Sequence, residues 1–161
     1  MPGRLNPIMI VKLGLMGFSL LLYLISLVSD VYYQVTPGTS VHGFECLIIG
    51  WLSFFYDWSL LVPWISNILY LACIIMAFFR ITNFIAIPIS VIAICMTIPS
   101  FFVSTLMYNE AGMTTAVIIK FGLYFWVASY VVLFMSTLIP TAWKKQINPN
   151  LETHPDIHLI P

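Results

Sequence analysis

The chain has 161 residues, 61% of them hydrophobic and 7% charged, against about 25% charge in an ordinary soluble domain. So little charge cannot cover a surface in water, and lipid is the solvent that fits. Six basic residues balance six acidic ones, which excludes the net positive field that recruits nucleic acid.

Residues 1 to 7 are a short polar lead. Ile8 to Val28 predicts a first membrane span, long enough at ~1.5 Å per residue to cross a ~30 Å hydrocarbon core. It ends in LVSD with no small-x-small cleavage site, so it reads as a retained span and not a secretory signal. Lys12 lies near its start, where the stem can rest in lipid while the ammonium reaches the headgroups. Asp30 to Val41 reads as a polar connection, with Pro37-Gly38 as a turn and Tyr32 and Tyr33 as interfacial aromatics.

Gly43 to Trp58 puts Phe44, Leu47, Ile48, Trp51, Leu52 and Phe55 on one face of an amphipathic helix. It is short for a span and polar at both ends, and predicts an interfacial or re-entrant helix capping the outer face. The rival is one long helix from here through Phe79, bent near Pro63. A second span covers 60 to 79, with Asn67 inside it. The tight link after Arg80 makes it antiparallel to a third span, 84 to 106, which Pro88 and Pro99 kink. The fourth span covers 114 to 138 and contains Lys120. Residues 1–143 thus form one transmembrane domain, and 144–161 an unstructured tail.

The fold class expected is therefore an all-α membrane protein, an antiparallel bundle of four transmembrane helices with a cap helix over residues 43–58. With both termini in the cytoplasm, Arg4, Lys12, Arg80, Lys144 and Lys145 lie inside and only Lys120 points outward. Asp30, Glu45, Asp57 and Glu110 then lie outside. This is the orientation expected in a bacterial inner membrane.

Few groups can carry chemistry. His42, Glu45 and Cys46 have helical i, i+3, i+4 spacing and can converge. All three are competent metal ligands, but no fourth ligand is near, and the plainer reading is a loop histidine, a carboxylate favoured at a helix start and a packing cysteine. No metal site is assigned. A charge as deep as Lys120 costs about 2.5–3.5 kcal/mol at the membrane centre and less near the edge. Lys120 can snorkel outward, or pair with Asp57, Glu45 or Glu110. Asn67 can hydrogen-bond within the bundle for ~0.6 kcal/mol. Ala86, Ser90 and Ala93, followed by Thr97, put small side chains on one stripe suited to close helix contact. His154 and His158, in the tail, hold a metal weakly at best.

The missing motifs matter as much. Cys46, Cys73 and Cys95 form no CxxC pair, which argues against a disulfide framework, a structural zinc site or a thiol-oxidising dithiol. No histidine lies in an apolar segment to hold haem, and no carboxylate lies inside a span to couple protons. No catalytic residue and no cofactor is assigned, and an enzyme is not expected.

The run GFECLIIGW, then an aromatic gap, then PWISN, resembles a pattern in small bacterial four-span membrane proteins of unassigned function. Gly43, Phe44, Cys46, Leu47, Gly50, Trp51, Trp64 and Asn67 carry the match, about a quarter of the chain. The resemblance implies no activity. It implies that Cys46 and Asn67 belong to one outer substructure.

The expected function is a non-enzymatic membrane subunit, assembly factor, or envelope sensor or immunity component. Its partners would be the lipid bilayer and a second copy or another membrane protein, met through Ala86, Ser90 and Ala93. The alternatives are an oligomeric pore or small-solute permease lined by Asn67, Ser90, Thr97 and Lys120, and a quinone- or lipid-binding protein with the ligand under the cap aromatics.

Overall fold

The computed structural model describes residues 7–56, 58–107 and 112–139. Asp57, Glu110 and the tail over 144–161 lie outside the described residues.

The first helix, α1 (Pro7–Val28), buries Lys12, Met16, Ser19, Tyr23 and Ser26. The spacing alternates between four and three, so one stripe faces inward and carries the polar groups. Leu20, Leu21 and Leu24 face out. Apolar outside and polar inside is the arrangement expected where lipid replaces water.

A hairpin of β1 (Asp30–Gln34) and β2 (Thr39–His42) follows. Its turn holds a cis Thr36–Pro37 bond and Gly38 at φ 83°, a conformation that favours glycine. Then come α2 (Gly43–Ile49), a 3₁₀ turn (Gly50–Leu52) and α3 (Ser53–Tyr56). The segment expected as one cap helix is thus a run of short helical pieces. The long helices α4 (Trp58–Phe78) and α5 (Arg80–Thr97) form an antiparallel pair, and α5 continues as a 3₁₀ turn over Ile98–Phe102, where Pro99 sits. The strands β3 (Thr105–Met107) and β4 (Thr114–Ile119) lead into α6 (Phe121–Thr137).

Among the described residues, three helical segments are long and apolar enough to cross a membrane: Pro7–Val28, Leu60–Phe78 and Ile81–Phe102. The helix Phe121–Thr137 is shorter, 17 residues, or about 25 Å.

The all-α expectation needs correction. The four strands form one antiparallel sheet in the order β2-β1-β4-β3. Tyr32, Tyr33 and Gln34 pair with Ile119, Ile118 and Val117. The fourth span therefore does not begin at 114, and Lys120 lies just ahead of α6 instead of two turns within it. The reason is local. TTAVII is rich in β-branched residues that suit a pleated strand, yet its hydropathy runs straight into the helix behind it. The third span likewise stops short of 106, because Leu106 is already in β3.

In the helical body, α1 packs along α6, α6 against α5 and α5 against α4. The core joins Met16, Tyr23, Tyr70, Cys73, Ala77, Ala93, Tyr130 and Leu133. A second cluster of Val31, Tyr32 and Leu123 fastens the sheet to the start of α6. The stripe Ala86, Ser90, Ala93 and Thr97 is buried inside this single chain. Those residues make contact between neighbouring helices of one molecule and are not a face open to a partner, which corrects the association surface expected from sequence.

Candidate functional site

The polar side chains of the helical body meet at Asn67. Pro63 and Trp64 lie in the second turn of α4, and Asn67 sits one turn further in, facing α1 and α6. Its Oδ1 accepts three hydrogen bonds: from the Tyr23 hydroxyl at 3.0 Å, Trp126 Nε1 at 3.0 Å and the Tyr130 hydroxyl at 3.2 Å. Its Nδ2 donates to the Trp64 carbonyl at 3.1 Å. A carbonyl oxygen has two lone pairs, so three donors share an acceptor with none to spare. Tyr23 stacks on Tyr70 with ring centroids 4.7 Å apart, and Tyr70 leans on Tyr130 at the same distance. Ser19 closes the group, lying 2.8 Å from the Tyr70 hydroxyl and donating to the Ser129 carbonyl at 2.7 Å. Helices α1, α4 and α6 are thereby locked together by buried hydrogen bonds and stacked rings.

This hub reaches the cap. Trp64 Nε1 donates to the Leu47 carbonyl at 2.8 Å, and the Trp64 ring packs closely on Gly50, where a Cβ would run into Cδ1 of the ring. Leu47, Gly50, Trp64 and Asn67 are thus connected in space as well as in the sequence pattern.

The cap's ionisable residues lie elsewhere. His42 precedes α2, and Glu45 Oε2 accepts from the His42 backbone N–H at 3.0 Å, which satisfies one of the helix's open amides. His42 Nδ1 sits 3.0 Å from Asp30 Oδ1, an ion-pair distance whenever the imidazole is protonated, but without hydrogen-bond alignment. Asp30 Oδ2 accepts from Ser40 Oγ at 2.9 Å. Cys46 turns inward and packs against the Val31–Tyr32–Leu123 cluster. His42, Glu45 and Cys46 therefore do not converge, and among the described residues no three His, Cys, Asp or Glu side chains come together to hold a metal ion.

Burial, and then the Glu45 carboxylate nearby, push the Cys46 thiol up to about 12. Burial, reinforced by Cys46, likewise raises the Tyr32 phenol above its usual range, while its hydroxyl donates to the Ser100 carbonyl at 2.8 Å. The thiolate is the reactive form, so Cys46 should be alkylated about a thousandfold more slowly in the folded protein than in SDS at pH 8. Mass analysis after timed maleimide exposure checks this. The sign also fixes a pH effect: the raised thiol favours the fold equally below the ordinary thiol range, and stability falls as pH rises from about 9 towards 12.

Lys120 has its ammonium 5.1 Å from the centre of the Tyr33 ring, and its backbone N–H donates to the Val31 carbonyl at 2.9 Å. Glu45 is engaged at the start of its own helix, and Asp57 and Glu110 lie outside the described residues. At the opposite end of the body, Lys12 is buried and donates to Asn83 Oδ1 at 2.7 Å, while Asn83 Nδ2 donates to the Thr137 carbonyl at 3.0 Å. Lys12 is therefore not the outward-reaching lysine that sequence suggests. Its polar stripe mates, Ser19, Tyr23 and Ser26, were the available signal. Comparison with protein-family models, curated proteins and solved structures returned no match.

Proposed function

We propose that the chain is a non-enzymatic, four-span protein of a bacterial inner membrane, with both termini cytoplasmic and the sheet and cap on the outer face. It acts as a subunit, assembly factor, or envelope sensor or immunity component. One observation carries this reading. Among the described residues, the only buried side-chain polar atoms without a hydrogen-bond partner are His42 Nδ1 and Ser100 Oγ, both at the sheet end. The other buried polar side chains described in the helical body are hydrogen-bonded within the protein, which supports a structural role for them. What the chain offers outward is the sheet end, where Phe44, Ile48, Ile49, Trp51, Phe54 and Phe55 are exposed. Lys12 at one end and the sheet at the other support the orientation through the excess of basic residues on the cytoplasmic side.

A pore finds less support, because Asn67, Ser90 and Thr97 are buried within one chain and hydrogen-bonded to their own helices. The test is purification at native abundance in mild detergent, followed by quantitative mass analysis. A second membrane protein is expected in fixed ratio, reduced at least tenfold by the pair Trp51→Ala and Phe55→Ala. A lone chain under all conditions, or conductance that responds to Lys120→Glu, would replace this reading.

A further inference from the structure

Lys120 stands on a groove that nothing above uses. The groove is about 570 Å³ and is lined by Ile119, Lys120, Phe121 and Tyr124, within the ~300–1,000 Å³ typical of small-ligand sites. Phe121 and Tyr124 are exposed along it, while Lys120 is half-buried. The backbone bond from Lys120 to Val31 fixes the residue where the sheet meets α6. The ring of Tyr33 is the ammonium's neighbour among the described residues, and it supplies no negative charge. The described carboxylates of the sheet end are engaged elsewhere, Asp30 with Ser40 and His42, Glu45 with the start of α2.

We propose that this groove holds the headgroup of an anionic phospholipid from the leaflet at the sheet end, with its phosphate on the Lys120 ammonium and its upper acyl chain along Phe121 and Tyr124. Three features select that occupant. Among the described residues the site has one cation and mostly apolar walls, which fits an amphiphile with one anionic end. Lys120 lies immediately before the 17-residue apolar helix α6, which places it at headgroup depth under the four-span reading. An ammonium so placed gains by contact with anionic lipid. The inference rests on the membrane reading but is independent of any protein partner, so loss of the partner and loss of the lipid are separately visible.

The test is reconstitution in bilayers of equimolar phosphatidylglycerol and phosphatidylcholine, then gentle extraction and native mass spectrometry of the lipids retained. The parent is expected to retain phosphatidylglycerol about fivefold over phosphatidylcholine. Lys120→Gln should bring the ratio to one, Lys120→Arg should preserve it, and added inorganic phosphate should not displace the lipid. Should Lys120→Gln fail to fold, Tyr124→Ala leaves the charge in place and should lower retention of both lipids. Equal retention by the parent, a preference that survives Lys120→Gln, or retention unmoved by Tyr124→Ala overturns the proposal. So does a preference that emerges only in Glu110→Gln, which would assign the lysine to that carboxylate.

Discussion

Asn67→Leu is expected to destabilise the helical body by about 2–5 kcal/mol. The lower figure takes three lost bonds at the ~0.6 kcal/mol average measured inside membranes. The upper figure takes buried donors left without an acceptor, at ~1–3 kcal/mol each. Tyr23, Trp126 and Tyr130 all direct their donors to the one oxygen, so removing it orphans Tyr23 and Trp126 together and leaves Tyr130 only the Ser66 hydroxyl at 3.1 Å. Tyr23→Phe removes only one donor and leaves Oδ1 two others, so its effect should stay under ~1 kcal/mol. Asn67→Asp should not restore stability, because it buries a charge and loses the bond to the Trp64 carbonyl. Equilibrium unfolding in mixed micelles reads all three. Equal losses from Asn67→Leu and Tyr23→Phe would show that the oxygen is not the shared anchor.

Gly122→Val is the second large effect. A Cβ at Gly122 would fall 2.6 Å from the Asp30 carbonyl oxygen and 2.9 Å from its carbon. Backbone atoms cannot rotate aside as a side-chain tip can, so α6 must withdraw from β1. Overpacking of this kind costs ~1–3 kcal/mol. It should be felt first in the pairing of Tyr32 and Gln34 with β4. Hydrogen exchange should accelerate at β1 and β4 and change little between α4 and α5. Gly43→Ala meets the same obstacle, because its Cβ would strike the Ser26 carbonyl oxygen and lie 2.9 Å from Leu27 Cα. Gly14→Ala is the contrast. Nothing lies within 4 Å of its Cβ position, and the change should be neutral or stabilise α1 by up to ~1 kcal/mol.

Sequence reasoning reads the helices well and the sheet badly, for one physical reason. Hydropathy measures what a residue prefers to touch, and a strand of Thr, Val and Ile beside a membrane helix prefers the same surroundings as that helix. Thr114–Ile119 therefore reads as part of span four, and Lys120, which marks the junction, reads as a charge inside that span. Asp30–Val41 failed in the opposite sense, because its polar residues masked the pairing of Tyr32 and Tyr33 with two neighbours. In the site, Asn67 was visible as a lone amide in an apolar run. Its partners were not, because Tyr23 and Tyr130 count as apolar in composition and hydrogen-bond only once the helices are placed. Lys12, Ser19, Tyr23 and Ser26 do share one stripe of α1. That stripe is legible in advance if, in lipid, the polar face is taken as the inner one.

The sheet also dictates an order of assembly. β1 follows the first helix and β4 precedes the last, and these two strands are direct neighbours. A nascent chain that has emerged only as far as α5 holds a bare two-stranded hairpin, which is marginal in water by itself. Its inner edge waits for a partner that is still unsynthesised. Biogenesis must therefore keep β1 in reserve until Thr114–Ile119 arrives, and a chain truncated before Thr114 would display an open strand edge to its neighbours.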